Sequence, residues 1–184
     1  MKLLEGQILK EIKVLEPVVF EDIRGFFMES YNKKTYENLG IRIAFVQDNH
    51  SLSAEAGVIR GLHYQLHPQA QSKLVRVTAG AIYDVVVDIR TGSPTFGQWE
   101  GFELSAENKM QLFVPAGFAH GFCTLVPNTE VQYKVDRLYS KEHDRGILWN
   151  DPEIGIVWPT SNPILSEKDA GHPVLALAER NFKV

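Results

Sequence analysis

His63 lies between Arg60 and the pair Lys73 and Arg76, in the stretch VIRGLHYQLHPQAQSKLVRV from Val58 to Val77. Three potential cations and an imidazole converge within the 17 residues from Arg60 to Arg76. An imidazole titrates near working pH and can take up a proton, while guanidinium and ammonium groups beside it can hold an anion. A solvated sheet face with a basic rim would use the same residues. Side chains on a strand alternate between faces, so Leu62, Tyr64 and Leu66 point one way and Gly61, His63 and Gln65 the other. One face asks for a core and the other for something polar. Leu74, Val75 and Val77 mark a second strand, ending in a turn at Ala79-Gly80.

The elements that must position these groups read as short strands. Residues 81–90, AIYDVVVDIR, alternate Tyr83, Val85, Val87 and Ile89 with Asp84 and Asp88 on the opposite face. Gly92-Ser93-Pro94 turns the chain and 96–104 returns it. Met110 to Val114 is a further strand, stopped by Pro115-Ala116-Gly117, and 118–126 and 130–139 add two more. Upstream, Glu16-Pro17 breaks any helix and 8–20 suits edge strands. Asp22 to Gly25 is a turn, with extended structure resuming from Phe26 to Ser30. Asn32 caps a short helix from Lys33 to Leu39, closed by Gly40. Residues 41–47 alternate as a strand, and Asp48-Asn49-His50-Ser51 reads as a polar turn. After Trp149 the chain is loop-rich, with a helix start at Ser166. Turns at roughly ten-residue spacing predict an all-β sandwich or barrel, including the double-sheet jelly roll that cupins use. No repeat or linker divides 1–184, so one domain is expected.

The 184 residues are 44% hydrophobic and 23% charged, an ordinary soluble composition with enough length for a sizeable core. A net charge of −4 offers no general attraction to nucleic acid or an anionic membrane, so any anionic ligand must be held by local cations. Charges interrupt the N-terminal twenty residues too often for a signal peptide or a membrane span, and a cytoplasmic protein is expected. Cys123 is alone, which excludes an intrachain disulfide and a cysteine-cluster metal site; flanked by Phe122 and Leu125, it reads as a buried small hydrophobe.

Pro115-Ala116-Gly117-Phe118-Ala119-His120 resembles the second conserved cupin motif, PxGxxH, in which the glycine allows a sharp turn that aims the histidine inward. Metal-binding cupins carry a His-x-His pair and a glutamate in the first motif. Here His63 and His67 are four apart with no glutamate between them, so no metal centre is expected. The blocks DIRGFFMESY (22–31), FVQDNHSLS (45–53), GVIRGLHYQ (57–65), AQSKLVRV (70–77), DVVVDIRTGSPTFGQW (84–99), VPAGFAHGF (114–122), VQYK (131–134), ILWNDPEIGIVWP (147–159) and LSEKDA (165–170) resemble, in order, the dTDP-4-dehydrorhamnose 3,5-epimerase family. The resemblance implies an all-β, cupin-type jelly roll with a few short peripheral helices. It also implies a homodimer acting on dTDP-4-dehydro-6-deoxyglucose, on the route to dTDP-L-rhamnose, with no cofactor and no metal.

Inverting a carbon beside a ketone needs a base for the α proton, a group that stabilises the enolate oxygen, and an acid on the opposite face. The resemblance assigns His63 as the base, Asp169 as the carboxylate that orients it, and Tyr133 as the acid. Lys73 would bring an ammonium near the developing oxyanion, and His120 would bind sugar hydroxyls. On residue patterns alone, Asp169 is a helix-capping partner of Ser166, Tyr133 a hydrogen-bonded core phenol, His120 a satisfied core histidine and Lys73 a strand-edge guard.

A diphosphate calls for guanidinium forks, and Arg24 and Arg60 are the matched candidates. Strict alternation puts Arg60 and His63 on opposite faces, unless Gly61 makes a bulge or Arg60 reaches around the strand end. Glu29, Gln47, Asp48, Asn49 and Lys168 are further candidate contacts, with Phe27 and Tyr139 as stacking surfaces for the base. In the family the segment with Arg24 and Phe27 crosses to the partner subunit, so each site would be shared. For the family's acidic contact, KEHDRGILWN offers both Glu142 and Asp144; Asp144 is taken as the candidate. An epimerase acting at one carbon, or on another dTDP-ketosugar, would share the catalytic set. A non-catalytic sugar-nucleotide-binding cupin would need neither base nor acid.

Overall fold

Strand β8 (Ala81–Asp88) buries valines on both faces because it lies inside a five-stranded sheet covered on both sides. Val85 and Val87 pack with Ile59, Leu62, Tyr64 and Trp158 in one core cluster, while Ile82 and Val86 pack with Val75, Leu112 and Val131 in another. The computed structural model describes residues 1–184. In chain order the elements are β1 (Lys2–Glu5), β2 (Lys13–Glu16), β3 (Phe20–Asp22), β4 (Gly25–Phe27), α1 (Lys33–Asn38), β5 (Gln47–Ser53), β6 (Ile59–Gln65) and β7 (Lys73–Ala79). After β8 come β9 (Trp99–Ser105), β10 (Gln111–Val114), β11 (Phe118–Thr124), β12 (Thr129–Val135), β13 (Asp144–Gly146) and α2 (Glu167–Ala170).

Two antiparallel sheets face one another, ordered β1-β2-β10-β7-β12-β5 and β13-β6-β11-β8-β9, as in the jelly roll that the family resemblance implied. Between them lies a cluster that draws Val75, Val77 and Val131 from the first sheet and Ile82, Val86, Phe118 and Phe122 from the second. The outer face of the second sheet is covered by the tail, through Ile147, Ile154, Trp158, Leu175 and Phe182. The loop-rich tail therefore acts as the missing layer over that sheet. On the outer face of the first sheet, Tyr36 and Ile41 pack on Leu15, Leu74 and Phe113.

Both expected helices form where their caps stand. The Asn32 side chain accepts from the Thr35 amide, and the Ser166 hydroxyl accepts from the Asp169 amide at 3.1 Å. One segment differs from its sequence pattern: 41–46 is not a strand, and β5 instead takes in Asp48-Asn49-His50-Ser51. It pairs with β12 from Gln47↔Val135 to Ser53↔Thr129 at a sheet edge, where polar residues on alternating faces are well solvated. Turn-forming residue types outweighed an edge strand that has no apolar face to advertise. The returning strand also begins later than expected, at Trp99, and the three-residue β13 has no periodic signal. The β3–β4 hairpin pairs only with itself and leaves Phe20, Ile23, Phe26 and Phe27 exposed. No helix is long and apolar enough to cross a membrane.

Candidate active site

The irregularity expected at Gly61 is present and decides which side chains share a cavity. On the pairing with β11, His120 stands opposite His63 and Phe122 opposite Arg60, so β6 carries one extra residue in this interval. Gly61 takes φ +142°, and a Cβ there would lie 2.5 Å from the Gly121 Cα. The bulge turns Ile59 and Leu62 to the same core, and Arg60 and His63 both reach the space between the sheets.

That space is a cavity of about 250 Å³. Its walls include Arg60, His63, His120 and Phe122 from the five-stranded sheet, and Ser51, Lys73 and Tyr133 from the six-stranded sheet. Asp169 and Lys168 of α2 close one side. His63 and Tyr133 therefore approach from opposing sheets. An adjoining volume of about 380 Å³ shares His63, Lys73 and Tyr133 and adds Gln47, Asn49, Gln65, Tyr139 and Asp144.

His63 Nε2 meets Asp169 Oδ1 at 2.5 Å, across 106 residues of chain. With Nε2–H donating to the carboxylate, the lone pair of the neutral ring lies on Nδ1. Burial lowers the His63 pKa, and the Asp169 carboxylate opposes this only in part. Burial pushes the Asp169 carboxyl up, but the His172 ring 3.6 Å away and the His63 and Ser166 side chains together hold it well below the usual carboxylate range. At neutral pH the pair is a neutral imidazole held by a carboxylate, the state a base requires.

Across the cavity, burial raises the pKa of the Tyr133 phenol, which keeps its proton available for donation. Lys73 is buried, and its Nζ donates to the His63 carbonyl at 3.3 Å. Desolvation pushes its pKa down to about 8, with Asp84 and Asp144 pulling the other way, so it is still an ammonium at pH 7. His120 Nε2 lies 2.9 Å from both carboxylate oxygens of the fully buried Asp84. His120 is thus satisfied on one side by Asp84, as a core histidine would be, and lines the cavity on the other.

Asp144 is half-buried, accepts from Lys168 Nζ at 2.5 Å and from the Tyr139 hydroxyl at 3.2 Å, whereas Glu142 is exposed and lines neither volume. Asp48 departs from its expected place. Its side chain pairs with Lys134 at 2.8 Å beside His50 and Arg76, outside the His63 cavity, because β5 alternation turns it away from Gln47 and Asn49. Arg24, Phe27 and Glu29 are also absent from the cavity: Arg24 pairs with Asp22 on the exposed hairpin, Phe27 is exposed beside it, and Glu29 accepts from Asn32. Cys123 is fully buried and its thiol is pushed up to about 11, which removes it from nucleophilic chemistry.

Asp84 and His172 are neighbours of the site that residue patterns did not single out. A carboxylate inside the valine run of β8 was the available signal for Asp84. His172 had none, because its position depends on the tail folding back over β13.

Residues 7–177 match the family profile described as dTDP-4-dehydrorhamnose 3,5-epimerase. A protein of that name from Shigella flexneri is 57% identical over 162 residues, 88% of this chain and 89% of its own. The crystal structure of the Bacillus anthracis dTDP-4-dehydrorhamnose 3,5-epimerase with TDP and PPi bound is 61% identical, covers 94% of this chain and 98% of its own, and superposes with a TM-score of 0.91. The Legionella pneumophila dTDP-6-deoxy-D-glucose-3,5-epimerase in complex with dTDP-4-keto-L-rhamnose is 49% identical with the same TM-score, covering 96% and 93%. With a facing imidazole and phenol in a jelly roll and relatives matched along nearly its whole length, this chain belongs to the dTDP-4-dehydrorhamnose 3,5-epimerase family.

Proposed function

We propose that the cavity inverts C3 and C5 of dTDP-4-dehydro-6-deoxy-D-glucose, giving dTDP-4-dehydro-L-rhamnose, with His63 as base and Tyr133 as acid. The single observation that carries this is their placement on opposing sheets around one cavity. His63 Nδ1 removes the proton next to the C4 ketone, the electron pair moves onto the ketone oxygen, and the Lys73 ammonium stabilises the enolate. Tyr133 then delivers a proton from the other face, and proton exchange with solvent resets both groups before the second carbon. Asp169 orients His63 and stabilises the imidazolium, by the logic of catalytic triads. These proton transfers use only side chains and call on no metal or redox cofactor.

Arg60 serves the diphosphate, and His120 the sugar hydroxyls. Gln47, Asn49, Tyr139, Asp144 and Lys168, which line the adjoining volume, serve the nucleotide. Arg24, Phe27 and Glu29 reach a site only in a second copy of the chain, which makes the enzyme a homodimer with shared sites. The exposed aromatic hairpin that bears Arg24 supports this reading. The protein works in the cytoplasm as one unit spanning 1–184. Incubation with dTDP-4-dehydro-6-deoxy-D-glucose in deuterated water tests the assignment: product NMR should show deuterium at both C3 and C5, and His63→Ala should abolish it. Deuterium at one carbon would make this a single-position epimerase, and wild-type activity in His63→Ala would remove His63 as the base.

A further inference from the structure

We propose that His63, Asp169 and His172 form a zinc-binding site whose occupation switches the enzyme off. The inhibitory effect rests on His63 being the base. His63 Nε2, Asp169 Oδ1 and His172 Nε2 all lie within 4.8 Å of one another. His63 Nε2 is 2.5 Å and His172 Nε2 3.6 Å from the shared carboxylate oxygen. Zinc bonds of about 2.0–2.1 Å in a tetrahedron separate ligand atoms by about 3.3 Å, so adjustments of about an ångström suffice. Two imidazoles and one carboxylate suit zinc far better than magnesium, which prefers an all-oxygen shell.

His172 touches none of the reacting atoms in the catalytic scheme, yet its Nε2 is buried without a hydrogen-bond partner and faces Asp169. Gly146 makes that placement possible, since a Cβ there would lie 2.3 Å from His172 Nε2. The two histidine rings stand edge to face, 5.6 Å apart. Lys168, the nearby cation on α2, is already paired with Asp144. Zinc on His63 Nε2 leaves the single proton of the neutral ring on Nδ1, so no lone pair remains there to take the sugar proton. The ion also occupies the Asp169 oxygen that orients the ring.

The test measures zinc binding to the purified protein by competition with a chromophoric chelator, and separately the rate of deuterium incorporation into dTDP-4-dehydro-6-deoxy-D-glucose. Wild type should bind one zinc per chain, lose at least nine-tenths of its activity at saturation, recover it with a chelating agent, and ignore magnesium. His172→Ala and His172→Gln should bind zinc at least tenfold more weakly and, each measured against its own zinc-free rate, keep working at concentrations that silence wild type. Equal zinc binding in wild type and both variants would overturn the site and leave the base assignment untouched. His172-dependent binding with undiminished epimerisation would overturn the inhibition and count against His63 as the base.

Discussion

Replacing Lys73 with methionine should stabilise the protein while removing most of its activity. The buried ammonium has its pKa pushed from the ordinary 10.5 down to about 8, chiefly by desolvation. At about 1.36 kcal/mol per pH unit, this difference is a cost of about 3 kcal/mol to the folded state at pH 7. Below pH 8 both the folded and the unfolded chain carry the proton, so the full cost applies. Between about 8 and 10.5 the unfolded chain binds more protons, so stability rises with pH, and above 10.5 the cost is gone. Methionine has a similar reach and no charge, so Lys73→Met should exceed wild type by about 3 kcal/mol at pH 7 but by less than half of that at pH 9.5. Urea unfolding at one protein concentration and both pH values reads the difference directly. Epimerisation should fall about 10²–10³-fold in the variant, the usual loss on removing an oxyanion donor. In wild type it should decline as pH rises through about 8. A variant no more stable than wild type at pH 7, or a stability gap that does not change with pH, would refute the picture of a charge held in a water-poor pocket for catalysis.

Tyr133→Phe should cut turnover about 10²–10⁴-fold, the range for a lost general acid. Because His63 can return solvent deuterium to the face it deprotonated, recovered substrate should gain deuterium without inversion, visible by NMR. Asp169→Asn leaves the backbone amide that Ser166 caps, so α2 should remain while kcat falls about 10²-fold or more with little change in KM, as steady-state kinetics would show. Gly61→Ala should destabilise the fold by more than about 3 kcal/mol, because φ +142° is unfavourable to any Cβ and the added carbon meets the Gly121 backbone; thermal or urea unfolding measures it.

Much of the architecture was legible in residue patterns because its signals are local. Strand alternation in 81–90, the Gly80, Gly92 and Gly117 turns, and the Asn32 and Ser166 caps each act over a few residues. β5 was not legible, since an edge strand between a cavity and solvent needs no apolar face and can be written in turn-forming residues. Asp48 was assigned to the site with its neighbours, yet alternation within that unrecognised strand turns it outward to Lys134.

By itself the sequence determined short strands with little helix, and a polar face around His63 on β6. Only the tertiary structure decided that Arg60 shares that face, that Tyr133 opposes it from the other sheet, and that Asp169 and His172 close on His63 from more than a hundred residues away. Propensity and alternation are set by neighbours along the chain. The base, its carboxylate and the facing acid are set by how two sheets and a returning tail pack, and no local spacing encodes that distance.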